Sequence, residues 1–341
     1  MNRIPFEEVQ QTLAGVLRKV GFSADRAATG ARLFAETTRD GVYTHGINRF
    51  PRYVAQIRAG NVIVDAEPKC VNAFGALERW DGQLGPGNLN ALAMMDRAIA
   101  LSREHGIGCV ALANTNHWMR AGTYGWQAAE AGFVGICWTN TMPNLPPWGG
   151  VERVIGNNPL VIAVPRPAGS VVLDMAMSQF SYGQLESYRK RGEKLPVDGG
   201  FDSQGNLTRD PAAIEESWRP LPIGYWKGSG LSVVLDMMAA MLSLGQATYQ
   251  LSHDPIHERG ISQIYIAINP RAFGSEPPSS GSGPRSAEIV DGIVESLHEC
   301  LPADEKKRVR YPGEETLRVR AENGKLGLPV EAEVWEKILA M

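Results

Sequence analysis

No stretch of this 341-residue chain is apolar for anything near the ~20 residues that a membrane-spanning helix requires. Its opening, MNRIPFEEVQ, has no apolar run like the one that heads a secretory signal, so a cytoplasmic location is expected and a membrane is not an expected partner. Positive charge is not in excess. Against 34 Lys and Arg stand 37 Asp and Glu, a net charge of -3, which leaves no basic stripe to grip nucleic acid. Cysteine is scarce: Cys70, Cys109, Cys137 and Cys300 are scattered with no CxxC pair. Cys109 and Cys137 fall inside apolar runs and read as small core residues in a reducing compartment.

Several motifs are missing too. There is no Walker loop, no G-x-S-x-G elbow and no Tyr-x-x-x-Lys pair, which excludes the commonest phosphate-loop, hydrolase and tyrosine-based hydride-transfer signatures. The letters of the dinucleotide fingerprint occur in GIGCVA, 106–111. A helical pattern precedes them and a strand-like run follows, the reverse of the order that aims a helix N-terminus at a pyrophosphate, so the match is rejected.

What is present is a chain 43% hydrophobic and 21% charged, enough to bury a real core, and long enough for roughly two or three units. Phe6, Val9, Leu13, Val16, Leu17 and Val20 recur at helical spacing until Gly21, and Ser23 can cap a second helix that runs to Gly41. A third helical segment ends near Gly60. The middle of the chain changes period: 108–114, 134–139, 159–165, 170–176 and 261–270 are short apolar runs bounded by Gly, Asn or Pro, as buried strands are. Helical patterns lie between some of them, and 230–245 reads as a buried helix, so an α/β unit is expected. Residues 192–220 and 274–286 read as long loops.

Three clusters carry chemistry. In GVYTHGINRFPRYV, 41–54, a helix would set His45, Arg49 and Arg52 at i, i+4 and i+7 on one face, unless Pro51 confines the helix to a start near Asn48. Either way two fixed cations, whose planar forks suit a carboxylate, accompany one imidazole able to trade a proton near neutral pH. Surface positions on a helix are the plainer reading. The second cluster, Asn114, Asn116, His117 and Arg120, follows a strand, where α/β proteins place catalytic groups; a capping loop would explain the asparagines equally. In the third, Lys227 and Gly228-Ser229-Gly230 precede an apolar helix, so backbone amides there could meet a phosphate, or simply form a glycine-rich helix entry. His253 and His257, at i,i+4 around Pro255, read as a solvated loop before they read as a metal pair.

The strings YTHGINRFPRYV, NTNHWMRAGTYGWQAAEAGFVGICWTN, PPWGG, GNNPL, VLDMAMSQFSYG, LPVDGGFD, GYWKGSGLSVVLDM, GISQIYIAI and PGEE follow one another from the first helix to the last as in the malate/L-lactate dehydrogenase family, which the chain resembles. Within that family it is most similar to members acting on oxo sugar acids. The resemblance implies an α/β fold with a non-Rossmann mixed sheet that binds the dinucleotide, flanked by helical N- and C-terminal regions: 1–75 with the catalytic histidine, 76–300 as the sheet and substrate unit, and 301–341 packing back. It implies reduction of a small-molecule 2-oxo acid by NADH, or NADPH, in a homodimer.

By the same resemblance His45 is the proton donor of a serine-histidine-glycine motif, with Thr44 here in place of the usual serine. Arg49 is expected to hold the substrate carboxylate, with Arg52 or Arg120 assisting, and His117 and Asn116 to orient the oxo group. The family's cofactor contacts carry over to Ser170, Val171, Val172, Leu173, Asp174, Met175, Ala176, Trp226, Lys227, Gly313, Glu314 and Glu315, with Glu314 a departure from the usual residue. No metal is expected. Two readings from other classes remain: a metal-dependent lyase or hydrolase using His45, His117, His253 and His257, and a sugar-acid binding protein without catalysis. Malate, lactate, ureidoglycolate or a cyclic imino acid are alternative substrates within the family.

Overall fold

A computed structural model describes residues 2–274, 286–304 and 308–341. The chain begins with strand β1 (Asn2–Ile4) and helices α1 (Phe6–Lys19) and α2 (Ala24–Arg39). Val9, Leu13, Val16 and Leu17 form the buried stripe of α1, and the Ser23 hydroxyl accepts from the Arg26 amide to open α2. Two 3-10 turns, Tyr43–His45 and Ile47–Arg49, lead into α3 (Phe50–Arg58). Pro51 occupies the first turn of α3, where its missing N–H costs no hydrogen bond.

A hairpin follows, β2 (Lys69–Phe74) and β3 (Leu77–Asp81), with residue 75 in its turn; then α4 (Gly87–His105), β4 (Ile107–Thr115), α5 (Gly122–Glu130), β5 (Val134–Thr139), β6 (Leu160–Val164) and β7 (Val171–Met175). After β7 come α6 (Tyr182–Arg191), the two-residue strands β8 (Gly200–Phe201) and β9 (Leu207–Thr208), α7 (Pro211–Ser217), α8 (Trp226–Ser243) and β10 (Ile261–Ile268). The chain closes with α9 (Ser286–His298), α10 (Glu314–Leu326), β11 (Leu328–Val330) and α11 (Ala332–Leu339).

The main sheet has seven strands in the order β2-β3-β4-β10-β5-β6-β7, with β3 and β4 parallel and every other pair antiparallel. Its central strands are apolar on both faces. Val110, Leu112, Cys137 and Tyr265 pack with Met94, Met95, Trp118 and Tyr124 of the α4 and α5 layer, while Ala111, Trp138 and Ile264 meet Leu235 and Ala239 of α8 on the other side. Burial of alternate residues on opposite faces is why these strands read as unbroken apolar runs.

A second core joins the two ends of the chain. Leu13, Phe34, Phe50, Tyr53, Leu328, Val330 and Ile338 pack together, and β1 pairs antiparallel with β11, Ile4 opposite Leu328.

One element went unmarked in the sequence and two expectations are corrected. The β2–β3 hairpin was not apparent because β2 is exposed throughout, so it has no buried face to impose a period of two. The stretch 192–220 is not a plain loop: its β8–β9 hairpin and α7 enclose a small core of Leu185, Leu195 and Ile214. Finally, α8 is buried on one side only, with Val234, Met237, Met241 and Leu242 exposed. Most of 274–286 lies outside the described residues.

Candidate active site

The His45 turn is built from the end of α2. Asp40 closes that helix, and Gly41 continues with φ +85°. The Thr38 hydroxyl accepts from the Ile47 amide at 2.9 Å, while a Cβ at Gly46 would lie 2.3 Å from that same oxygen. Only glycine lets the turn approach so closely. The single helical face expected for His45, Arg49 and Arg52 is therefore not formed: the residues come from two 3-10 turns and α3, yet still gather in one place.

From the other side comes the loop after β4. Its Trp118 is buried at 1% exposure and anchors the segment, and the ring of His117 stacks on His45 with centroids 5.9 Å apart and planes 18° from parallel. The Met119 amide donates to His117 Nδ1 at 3.0 Å. That nitrogen must be unprotonated to accept, so the ring's proton is on Nε2. His45 Nδ1 is 3.1 Å from the Thr44 hydroxyl. Burial, then Arg49, Arg120 and Arg52 push the His45 imidazole below its ordinary pKa, and burial, then Arg49, does the same to His117. Both rings are thus neutral at pH 7 in the free protein.

Arg49 is the informative cation. Among the described residues it has no ion-pair partner within contact distance, and its Nε is sealed from solvent with no hydrogen-bond acceptor. Burial and the neighbouring Arg52 lower its pKa to about 10, against the opposing pull of Glu258. Glu258, only 4% exposed, spends one oxygen on the Met142 amide at 3.1 Å. Arg52 donates to the carbonyl of Pro255 at 3.0 Å, and Gln56 and Asn61 bind the carbonyls of Pro255 and Ile256, so the segment 254–258 closes the site. Glu258 escaped the sequence reading because its segment looked like solvated loop; nothing in its spacing marks a buried carboxylate. A cavity of about 420 Å3 lined by Asp81, Gln83, Asn114 and Arg259 holds none of these cations, so chemistry rather than volume defines the site.

Other expected groups are committed elsewhere. Asn116 gives its amide to the carbonyls of Leu84 and Gly85, at 2.7 and 2.9 Å, and holds the scaffold instead of facing a substrate. Arg120 is 5% exposed and paired with Asp40 at 2.6 Å, so it does not assist Arg49. His253 and His257 are exposed, with His257 bound to Asp254 at a bend on the outer side of the closing segment. Among the described residues no group of three or more His, Cys, Asp or Glu side chains could hold a metal ion.

The segments expected to hold a dinucleotide converge on β7, the edge strand of the sheet. Val172 donates to the carbonyl of Pro312, and a Cβ on Gly313 (φ +94°) would stand 3.1 Å from the Val172 nitrogen and 3.2 Å from Trp126. Ile223, just before Trp226 and Lys227, donates to the carbonyl of Met177 beyond the end of β7. The Gly313 turn thus packs against Val172 within β7, and the segment that leads into Trp226 and Lys227 meets the chain just past the C-terminal end of that strand. Gly313 is glycine because Val172 and Trp126 fill the space a side chain would need, whereas the exposed Trp226 ring and the exposed Lys227 next to it are a stacking surface and a cation of the kind that suit a dinucleotide.

Corrections apply within this group. The amides of Lys227, Gly228 and Ser229 already donate to the carbonyls of Gly224, Ile223 and Tyr225, so Lys227 offers its ammonium but the turn offers no free amide at these positions. Asp174 spends one oxygen on the Gly122 amide at the start of α5, at 2.8 Å. Glu314 binds His298 and Glu315 binds Arg318, so neither carboxylate is free.

The sequence profile of the malate/L-lactate dehydrogenase family matches residues 4–339, and the chain belongs to that family of oxidoreductases. It is 48% identical over 339 residues to 2,3-diketo-L-gulonate reductase of Escherichia coli strain K12, covering 99% of this chain and 100% of that one. Among solved structures, sulfolactate dehydrogenase from Methanocaldococcus jannaschii superposes with a TM-score of 0.88 at 28% identity, over 99% of this chain and 95% of that one. The delta1-piperideine-2-carboxylate reductase of Pseudomonas syringae gives 0.86 at 26% identity, over 100% and 99%.

Proposed function

We propose that the chain reduces a 2-oxo sugar acid, 2,3-diketo-L-gulonate being the first choice, to the 2-hydroxy acid. The balance is one 2-oxo acid, one reduced nicotinamide dinucleotide and one proton giving the 2-hydroxy acid and the oxidised dinucleotide. The observation that carries this reading is an unpaired Arg49 beside two stacked histidines. The 48% identity to 2,3-diketo-L-gulonate reductase supports the substrate.

The β7 segment, Trp226, Lys227 and Gly313 would hold the dinucleotide, which when bound would supply a hydride to the carbonyl carbon. This chain does the rest. Arg49 forks onto the substrate carboxylate and fixes the direction of the carbonyl. Burial first, then Arg49, Arg120 and Arg52 hold His45 neutral in the free protein; the substrate carboxylate offsets the arginine part and so favours a proton on His45. His45 delivers that proton to the carbonyl oxygen, and His117, with its proton on Nε2, donates a hydrogen bond to the oxygen as charge develops. No further cation is required.

Asp174, near the end of β7, favours NADH over NADPH, since a carboxylate repels a 2′-phosphate. The exposed α8 residues Leu231, Val234, Met238 and Met241 form a stripe that suits a second copy of the chain, giving a homodimer. The free cysteines suit the cytoplasm.

The test is oxidation of NADH and of NADPH at 340 nm against 2,3-diketo-L-gulonate, oxaloacetate, pyruvate and a cyclic imino acid, with and without chelator. Chelator-insensitive turnover greatest with diketogulonate and NADH is the expected result. Faster turnover of another acid reassigns the substrate, loss on chelation revives the metal-dependent reading, and no turnover with no dinucleotide binding rejects the enzyme.

A further inference from the structure

Asp40 is a carboxylate in an unfavourable place. It caps the C-terminal end of α2, where the helix dipole already presents negative charge, and it is only 5% exposed. Three arginines surround it. Arg120 Nη1 lies 2.6 Å from Oδ2, Arg320 reaches Oδ1 and Oδ2 at 2.8 Å each, and Arg39 Nε approaches Oδ1 at 3.2 Å. Each arginine comes from a different part of the fold: α2 itself, the loop that carries His117, and α10. Arg320 also pairs with Glu130 of α5 and covers the ring of Trp126, which touches the Gly313 turn.

We propose that Asp40 is a positioning residue for the reaction: it clamps Arg120, and with it the His117 loop, to the helix end from which the His45 turn departs, and it offsets the guanidinium charge that bears on His45. The clamp spans five residues of chain on one side, Asp40 to His45, and three on the other, His117 to Arg120. Both histidines therefore hang from one ion pair. This inference rests on the roles given to His45 and His117 above.

The charged groups facing His45 are Arg49 from the second 3-10 turn, Arg52 from α3, and His117 and Arg120 from the loop after β4, with the Thr44 hydroxyl on Nδ1. Arg49, Arg120 and Arg52 all oppose its protonation. Asp40 and Arg320 flank Arg120 with opposite signs. Loss of one must move the His45 titration in the opposite direction to loss of the other, which a purely structural role would not do.

The experiment compares Asp40→Asn and Arg320→Gln with the unaltered protein. Two readouts are taken: the pH midpoint of kcat, and an NMR titration of labelled histidine with the His45 signal assigned by its absence in His45→Asn, recorded ligand-free and with oxalate present. Asp40→Asn is expected to move the His45 midpoint down by about half a pH unit or more, with a raised KM. Arg320→Gln, which leaves the Asp40–Arg120 contact in place, is expected to move it up by a smaller amount, since Arg320 is partly screened by solvent. Shifts in the same direction, or no shift in either variant, overturn the proposal. Should Asp40→Asn not fold, the sign of the Arg320→Gln shift decides. The NMR titration needs no turnover, so it judges Asp40 even if the proposed reduction fails.

Discussion

Replacing Arg49 with methionine tests the reasoning most directly, because binding and stability are expected to move in opposite directions. A carboxylate gripped by the guanidinium fork makes two charge-assisted hydrogen bonds, each worth about 1.5–3 kcal/mol. Their loss sums to roughly 3–6 kcal/mol, a fall of about 10²–10⁴-fold in kcat/KM. The carboxylate carries the same charge in the ground and transition states, so most of the loss should appear in KM. For stability the sign reverses. Arg49 has a pKa lowered from 12.5 to about 10, and burial is the main cause. That depression corresponds to at most about 3 kcal/mol, of which relaxation of the site around the charge leaves ~1–2 kcal/mol.

Folded and unfolded chains both carry the charge at pH 7, so the whole penalty acts there and fades only as pH rises through the folded pKa and on towards 12.5. Methionine should thus raise the unfolding free energy by ~1–2 kcal/mol, read as a higher urea midpoint at unchanged slope. Initial rates at 340 nm over a substrate series give KM. An unchanged KM for a carboxylate substrate, or a clear loss of stability, would refute the assignment of Arg49 as an unpaired anion receptor.

Four further outcomes are expected. His45→Asn should lower kcat by about 10²–10⁴-fold with little change in dinucleotide binding, measured by fluorescence titration; near-normal turnover with an unchanged pH profile would sink the proton-donor role. For reduction, His45 must be protonated and its free-protein pKa is lowered, so kcat/KM should fall as pH rises through a midpoint below 6.5, whereas kcat, reporting the anion-bound state, should fall at a higher pH. A Cβ at Gly183, in the first turn of α6, would lie 2.4 Å from Thr44 Cγ2. Gly183→Ala should therefore displace the His45 turn and cut kcat/KM by about tenfold, a 1 Å misplacement being able to cost up to ~10²-fold. Met241, 65% exposed on α8, is the position at which glutamate should convert a dimer to monomer in sedimentation; an unchanged mass would place the subunit interface elsewhere.

The local signals in the sequence were strong wherever one physical rule sufficed. Val9, Leu13, Val16 and Leu17 announce α1 because a helix with one buried stripe must repeat near 3.6 residues. The central strands announce themselves as apolar runs because both faces of the sheet are covered. Residue type flagged His45, Arg49 and His117 only as members of two clusters that a surface helix face or a capping loop would also explain; the family resemblance is what assigns them roles. The order of helix and strand around Gly106 was enough to reject the glycine fingerprint.

Tertiary structure decided what depends on distant partners. No spacing in the sequence tells which arginine is free, yet Arg49 is left unpaired while Arg120, three residues after His117, is taken by Asp40 from another helix. Glu258 becomes a buried carboxylate only because 254–258 folds onto α3. Asn116, Glu314 and Glu315 looked available and are spent on backbone or neighbouring charges. Local periodicity is set by the chain's own geometry and can be read along it. The state of a polar group is set by the burial and partners that folding brings to it, and these come from residues far away in sequence.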